Sequence, residues 1–187
     1  METLQTYFEH IGFSGDDLDK VVRSFQRQTF EKNDLVVTEG RTSKYLGLVE
    51  QGIFQYFVVK EGVEITSYVS VPNTWLASVT SFVSEKPALE NVRALTSGTV
   101  FMISKSSLRS LIDTLPAFKD FYIALLEQSI CGIDESRHDL IVLTAEQRYA
   151  KLLQKEPHLL QQIPLQHLAF MLGITPRHLS RIRNSIR

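Results

Sequence analysis

The spacing of hydrophobic residues divides the chain into helical and strand-forming regions. Apolar residues recur at helical spacing over residues 1–29, and we predict two short helices there. From Phe30 to Ile103, runs of β-branched and aromatic residues are separated by turn residues such as Glu39-Gly40 and Ser97-Gly98. Strands this closely spaced favour an antiparallel β-roll or jelly roll. The predicted strands are 35–38, 45–50, 53–59, 63–71, 92–96 and 99–103.

The run at 63–71 shows a regular alternation of residue types. Val63, Ile65, Ser67, Val69 and Val71 alternate with Glu64, Thr66, Tyr68 and Ser70. Because successive side chains of a strand point to opposite faces, we expect the face that carries the first set to be buried.

Helical periodicity returns after Ile103. Residues 104–114 predict a short helix, and Pro116 to His138 predict a long one with two adjacent apolar stripes. We expect one stripe to cover the roll and the other to pair with the same helix of a second copy, giving a homodimer. The alternative is a helix packed wholly on its own roll. After a short apolar hinge at 140–143, Thr144 and Gln147 have the spacing of a capping box that starts a further helix.

The segment from Ile163 to Arg187 has the pattern of a helix-turn-helix. Gly173 can adopt the positive φ that a tight turn between helices requires. Ala169 is small where the second helix is expected to cross, and Thr175-Pro176 supplies an N-cap hydroxyl followed by proline at the first helical position. The apolar residues expected to form the shared core are Leu168, Leu172, Leu179 and Ile182.

The second helix of this motif is expected to present a polar surface without acidic side chains. Cationic side chains form ion pairs with phosphates and hydrogen bonds with guanine, whereas serine and asparagine side chains form hydrogen bonds with the edges of other bases. The plainer alternative is an amphipathic helical hairpin with a solvated basic face. We expect Arg177, Ser180, Arg181 and His178 to contact base edges, beside Asn184, and Arg183, Arg187 and the Thr175 hydroxyl to contact phosphates.

The distribution of charge agrees with a DNA-binding segment at the C-terminal end. Residues 1–144 contain 13 Lys and Arg against 19 Asp and Glu, a net charge of −6. Residues 145–187 contain 7 Lys and Arg against 2 Asp and Glu, a net charge of +5. A basic module joined to an acidic sensor or assembly domain gives this asymmetry.

Several classes of function are not expected from the residue types. None of the five histidines lies between Phe30 and Ile103, which argues against a metal enzyme of the cupin type. No Gly-rich phosphate loop or Ser/His/Asp set is found in the roll, so we expect no enzyme and no metal site. The lone Cys131 cannot form an intramolecular disulfide or a four-thiolate iron–sulfur site, and we interpret it as a small buried residue rather than a redox sensor.

Targeting signals are also not evident. The N-terminus has no basic start and no apolar core of a signal peptide, and no apolar run approaches the length that spans a membrane. We therefore expect a cytoplasmic protein without a membrane partner.

The order of β-roll, long helix and C-terminal helix-turn-helix resembles the Crp/Fnr family of bacterial transcription regulators over nearly the whole chain. The resemblance is strongest over TAEQRYAKLLQKEPHLLQQIPLQHLAFMLGITPRHLSRIR (144–183), a form similar to the Bacteroidetes-type members. It implies an α+β protein with a cyclic nucleotide-binding-like β-roll and flanking helices at 1–115, a dimerisation helix at 116–139 and a helix-turn-helix domain at 144–187. It also implies major-groove binding by the last helix to double-stranded DNA, with RNA polymerase as a further partner.

The resemblance assigns roles at the recognition helix. By position, Arg181 matches the arginine with which the family reads guanine and phosphate. Pro176 and Arg177 occupy positions that are often Arg and Glu in other members, which indicates a different operator sequence. The family usually adds a β-hairpin wing after this helix, and we expect this chain to lack a full wing because it stops at Arg187. Its affinity for DNA would then be modest, or would depend more on Arg183 and Arg187.

The ligand motifs of the family are altered in this sequence. Nucleotide-binding members carry a Gly-Glu pair for the ribose and an Arg-Ser/Thr pair for the cyclic phosphate, where this chain has Ala77-Ser78 and Ala88-Leu89. The phosphate-binding cation is missing, and the following Glu90 would repel a phosphate. We therefore expect no response to cyclic AMP or GMP and no cofactor, with a small organic effector or none. The candidate lining of the remaining pocket is Ser78, Ala88 and Leu89, with Ile133 and Asp134 at the positions that face the base in cyclic-AMP binders.

Two functions follow. The first is a homodimeric, sequence-specific DNA-binding transcription regulator of the Crp/Fnr type. The second is a small-ligand sensor or protein-interaction module whose helix-turn-helix no longer binds DNA, which the expected lack of a wing would favour.

Overall fold

The computed structural model describes residues 4–155, 157 and 159–185, and it has the α+β architecture that the sequence predicts. Two short helices precede an antiparallel β-roll, a long helix leaves the roll, and short helices complete the C-terminal part. The elements are α1 (Leu4–His10), α2 (Gly15–Arg23), β1 (Gln26–Phe30), β2 (Leu35–Val37), β3 (Tyr45–Gln51), β4 (Phe54–Lys60), β5 (Val63–Ser70), β6 (Trp75–Leu76), α3 (Val79–Ser84), β7 (Asn91–Ala94), β8 (Gly98–Ser104), α4 (Lys105–Thr114), α5 (Pro116–Val142), α6 (Ala145–Lys155), α7 (Leu159–Gln162), α8 (Leu165–Met171) and α9 (Pro176–Ser185).

The roll consists of two antiparallel sheets that enclose an apolar interior. The strand orders are β1-β8-β3-β6 and β2-β7-β4-β5. Phe54, Val92 and Val100 are completely buried between the sheets, next to Leu76 and Met102. Burial of this apolar surface is the main stabilising contribution to the roll.

Three elements of the roll were not predicted. The strand β1 consists mostly of exposed polar residues because it lies at a sheet edge, where it pairs only with β8. The two-residue strand β6 and the six-residue helix α3 are too short for a periodic pattern to show.

The predicted burial pattern of 63–71 is correct for Val69 and Val71, which are buried, but it is wrong elsewhere in the run. Val63, expected to be buried, is 54% exposed, whereas Thr66 and Ser70, expected on the opposite face, are buried. The pairing register shifts between Tyr56 and Phe57 of β4, so the two faces of β5 exchange along its length. The second half of β5 packs on the roll interior through Ser70 and on the C-terminal helices through Val69.

A second apolar cluster covers the outside of the β3–β8 sheet. Helices α1, α2 and α4 and the start of α5 pack there around Phe8, which has no exposed surface. Edge-to-face ring contacts join Phe8 to its aromatic neighbours. The rings of this cluster are Tyr7, Phe8, Phe13, Phe25, Trp75, Phe82, Phe101, Phe118, Phe121 and Tyr122.

Only the start of the long helix α5 packs on the roll. Phe118 is buried, and Phe121 and Tyr122 contact the same outer cluster. The alternative of a helix packed wholly on its own roll is therefore wrong. Beyond these turns the large apolar side chains of α5 are exposed within the chain: Ile123, Ile130, Ile133, Leu140, Ile141 and Val142.

Two details of α5 differ from the sequence prediction. The helix continues through most of the expected hinge to Val142, and extended backbone begins at Leu143, with φ −92° and ψ 144°. Cys131 is exposed rather than buried, because it lies in a stretch of α5, residues 127–138, in which every residue is exposed.

The C-terminal helices share their core with the roll. Tyr149 of α6, Leu168 and Ala169 of α8, and Leu179 of α9 are buried in one cluster. The same cluster contains Val69 of β5, so the C-terminal helices lie directly on the β4–β5 face of the roll.

Candidate nucleic-acid interface and remnant ligand pocket

The turn between α8 and α9 has the local geometry of a helix-turn-helix. Gly173 has φ +69°, a conformation that favours glycine. The Thr175 hydroxyl accepts a hydrogen bond from the backbone N–H of His178 at 3.2 Å, which caps α9 as predicted. Ala169 has no exposed surface, in agreement with a close approach of the two helices.

The start of α6 is capped as the sequence predicts. The backbone N–H of Thr144 donates to the Gln147 side chain at 2.9 Å, and the N–H of Gln147 donates to the Thr144 hydroxyl at 3.3 Å. These reciprocal bonds fix the point at which the chain leaves α5 and enters the C-terminal core.

The predicted contact residues lie together on one surface of α9. Arg177, Ser180, Arg181 and Asn184 are exposed, and His178 and Arg183 are partly exposed. Ser180, Arg183 and Asn184 line a shallow depression with Leu165 of α8. Arg187 lies outside the described residues. Within the described part, the structure therefore brings the proposed base-contacting and phosphate-contacting side chains together.

No Asp or Glu lies on α9 over Pro176–Ser185, as predicted, but an acidic side chain of α6 approaches its surface. Glu146 of α6 approaches His178 with its carboxylate 3.6 Å from Nε2. Hydrogen bonds from its own backbone N–H and from Thr144 lower the pKa of Glu146, with a further contribution from His178. Glu146 therefore places a carboxylate beside Nε2 of His178.

Sequence reasoning missed the residue that braces the motif. Arg148 of α6 donates from Nε and Nη2 to the carbonyl of Leu172, at 3.1 and 2.8 Å, and from Nη1 to the carbonyl of Leu143. One guanidinium thus supplies hydrogen bonds to the carbonyls of Leu172 and Leu143, the residues that directly follow α8 and α5. The sequence offered one indication of this role: Arg148 lies one turn after the Thr144 cap, at the start of a helix that also supplies core residues.

Ion pairs join α6 to the end of α5. Lys151 lies between Glu135 and Asp139, and Lys155 contacts Glu135 at 2.7 Å. Hydrogen bonds from Lys151 and Lys155 lower the pKa of Glu135 to about 2. The C-terminal helices are therefore tied to the long helix by charge as well as to the roll by apolar contact.

A series of side-chain hydrogen bonds crosses the contact between the roll and α8. Gln55 of β4 donates to the Thr66 hydroxyl at 2.9 Å, and that hydroxyl lies 2.9 Å from Nδ1 of His167. Arg93 of β7 donates to the Gln55 side chain and pairs with Glu64. Burial lowers the pKa of the His167 imidazole, and the positive charge of Arg93 lowers it further while Glu64 opposes this.

Ser78, one of the predicted pocket residues, lies beside the Glu90 carboxylate. Ser78 is buried and its hydroxyl lies 3.4 Å from the Glu90 carboxylate, which also accepts from Ser67 at 3.4 Å. Burial raises the pKa of Glu90, although both hydrogen bonds act in the opposite direction. The Tyr56 hydroxyl accepts the backbone N–H of Ala77 at 3.0 Å, and burial raises its pKa.

The other predicted pocket residues lie in different environments. Ala88 is buried in the roll interior, and Leu89 is 75% exposed. Ile133 and Asp134 lie on the exposed part of α5, where Asp134 pairs with Arg137 at 2.9 Å. The described contacts of this single chain do not join these two residues to Ser78 or Glu90.

Among residues 4–155, 157 and 159–185, no group of three or more His, Cys, Asp or Glu side chains is arranged to hold a metal ion. Within the same described part, none of the helices combines the length and the apolar character needed to cross a bilayer.

Comparisons with known proteins identify the roll. Residues 27–114 match the family of the cyclic nucleotide-binding domain. No curated protein sequence matches the chain.

Solved structures that share the fold include a transcriptional regulator of the Crp/Fnr family. FixK2 from Bradyrhizobium japonicum has a TM-score of 0.74 at 14% identity, covering 87% of this chain and 84% of that one. The catabolite activator protein of Thermus thermophilus has a TM-score of 0.59 at 21% identity, covering 98% and 86%. A regulator from Eubacterium rectale, described as belonging to the Crp/Fnr family, has a TM-score of 0.64 at 13% identity, covering 95% and 85%. Residues 27–114 therefore match the cyclic nucleotide-binding domain family, and the chain has the same fold as these solved structures, one of which is a Crp/Fnr family regulator.

Proposed function

We propose that the protein is a sequence-specific, DNA-binding transcription regulator. The observation that carries this proposal is the exposed surface of α9, where Arg177, Ser180 and Arg181 lie side by side on a capped helix. Docking of α8 on β5 leaves that surface accessible, so the major groove of DNA can receive α9 without separation of the two parts. The fold shared with FixK2 and the catabolite activator protein agrees with this function.

The functional unit of the proposal is a homodimer formed through α5. Ile130 is 66% exposed and Ile133 is 62% exposed in the single chain, and both lie on the part of the helix that leaves the roll. An exposed apolar stripe on a long helix is stabilised by a second copy of the same helix. Two copies would present two α9 helices to the half-sites of a two-fold symmetric operator.

The proposal excludes cyclic AMP and GMP as effectors. Glu90 places a carboxylate among the Ser67 and Ser78 hydroxyls, and Ala88 offers no cation to a cyclic phosphate. Phosphate binding in a half-buried site requires a compensating positive charge. We propose no cofactor and no catalytic activity, a cytoplasmic location, and RNA polymerase as the partner at a promoter.

The test is a selection from random duplex DNA on the purified full chain, sequenced at low and at physiological salt. The expected result is an enriched two-fold symmetric motif with half-sites about one helical turn apart. Retention should fall steeply as salt rises, because counterions are released from DNA on binding. Absence of retention at low salt would instead favour the alternative of a sensor or interaction module that does not bind DNA.

A further inference from the structure

A cavity of about 190 Å³ opens between β2 and the β2–β3 loop, residues 38–44. Its inner wall is formed by Val37, Leu76 and Met102, which belong to the apolar interior of the roll. Its outer wall includes Arg41 and Lys44. An apolar wall facing two cations is the complement of an organic anion, with the charge at the mouth and an apolar body inside.

The two cations of this cavity have no carboxylate partner among the residues that the structure describes. Neither Arg41 nor Lys44 forms an ion pair or a side-chain hydrogen bond with another described residue, and the cavity lining contains no Asp or Glu. Arg93 and Lys105 differ in this respect, because Arg93 pairs with Glu64 and Lys105 pairs with Glu85. The guanidinium of Arg41 and the ammonium of Lys44 are therefore available to a bound carboxylate.

The volume restricts the size of the ligand. Pockets for drug-sized ligands have volumes of roughly 300–1,000 Å³, so this cavity is too small for a nucleotide or a dinucleotide. It has room for one ring or a short aliphatic chain. The chemical class that combines this size, an apolar body and a single negative charge is the small monocarboxylic acid.

Hydrogen bonds connect the loop that lines the cavity to residues 81–88, which precede Glu90. The N–H of Gly40 donates to the carbonyl of Ala88 at 2.8 Å, and the N–H of Ala88 donates to the carbonyl of Arg41 at 3.0 Å. The N–H of Ser43 donates to the Ser81 hydroxyl at 2.9 Å. A movement of the β2–β3 loop around a ligand would therefore be transmitted to residues 81–88, next to Glu90.

We propose that this cavity binds a small carboxylic acid with an apolar body. Arg41 and Lys44 hold the carboxylate, and Val37, Leu76 and Met102 contact the apolar body. This cavity does not include Ser78 or Glu90 in its lining. Binding of an acid there does not depend on the proposed DNA binding.

The test is an NMR titration of the full chain with sodium benzoate, following backbone amides and the methionine methyl groups. The expected result is saturable shifts at Met102 and Ser43 with a dissociation constant of about 1 mM or tighter. Benzyl alcohol, which has the ring without the charge, and inorganic phosphate, which has the charge without the ring, should bind more weakly.

The matched variants are Arg41→Gln and Lys32→Gln. Both side chains are exposed, so neither substitution is expected to unfold the roll, and melting temperatures check this. Arg41→Gln should weaken benzoate binding by roughly tenfold because a charge-assisted hydrogen bond is lost. Lys32→Gln, in the turn between β1 and β2 and outside the cavity lining, should leave it unchanged.

Several results would overturn the inference. They are the absence of saturable shifts, equal binding of benzyl alcohol, equal binding of phosphate, or shifts centred on Ser67 and Glu90 instead of Met102. The titration contains no DNA, so its failure would not affect the proposed regulator function, and failure of the DNA selection would not affect this site.

Discussion

The hydroxyl of Thr66 on β5 lies 2.9 Å from Nδ1 of His167 on α8, although 101 residues separate them in the chain. This contact lies within the apolar cluster that joins the roll to the C-terminal helices. A polar pair inside such a contact fixes the orientation of the two surfaces, since its hydrogen bond is directional and the surrounding apolar packing is not.

His167 predicts a pH dependence of stability. Its pKa is lowered in the folded protein, so the unfolded chain binds the proton first as the pH falls below about 6.5. The contribution of neutral His167 is therefore complete above that pH and is lost as the pH falls toward the lowered folded pKa. Urea unfolding at about pH 7.5 and about pH 5.5 should show a smaller loss of stability for His167→Gln than for the parent protein. The exposed His138→Gln should retain the parent's pH dependence, and an equal loss in all three proteins would contradict this assignment.

Arg148→Gln should lower the free energy of unfolding by about 1.5–3 kcal/mol, because the carbonyls of Leu172 and Leu143 lose a charged donor. The measurement is the urea midpoint of the full chain. Arg109→Gln is the control, since this arginine forms an exposed ion pair with Glu85 that contributes at most about 1 kcal/mol. Similar midpoints for the two variants would show that Arg148 does not brace the motif.

Ile133→Glu should convert the proposed dimer to a monomer, because a carboxylate would be buried at the helix contact. Sedimentation velocity gives the mass directly. Val59→Glu introduces the same charge at a position of similar exposure on β4 and should leave the dimer intact. Loss of the dimer in Val59→Glu but not in Ile133→Glu would place the contact on the roll instead.

Arg181→Ala should weaken binding to a selected operator by roughly 1–3 kcal/mol and relax the preference at one base pair. The measurement is fluorescence anisotropy with the selected duplex and with single-base variants of it. Arg23→Ala removes an equally exposed cation from α2 and should have no effect on specificity. Unchanged affinity in Arg181→Ala would mean that α9 does not enter the groove in the proposed orientation.

Local signals in the sequence predicted the C-terminal motif well. The Thr144–Gln147 cap, the positive φ of Gly173 and the Thr175 cap of α9 each depend on residues within four positions of one another. Such features are encoded by backbone preference and nearby hydrogen bonds, and they change little with tertiary context.

Features that depend on distant residues were not predictable in the same way. The burial of Thr66 requires α8, and the role of Arg148 requires the end of α8 to lie against α6. The polar strand β1 forms because β8 supplies hydrogen-bond partners at the sheet edge. Cys131 was expected to be buried because its neighbours in sequence are apolar, but those neighbours extend away from the roll. The residues predicted to contact bases and phosphates are gathered on α9, yet their individual roles stay predictions.

The position of β5 links two evolutionary constraints. Its second half is a wall shared by the roll interior, through Ser70, and by the C-terminal helices, through Val69. A substitution that reshapes one side of this wall also displaces the other. Under the proposed function, adaptation of the roll to a ligand would therefore alter the seating of α8 and α9, so that ligand preference and operator recognition would change together rather than as separable modules.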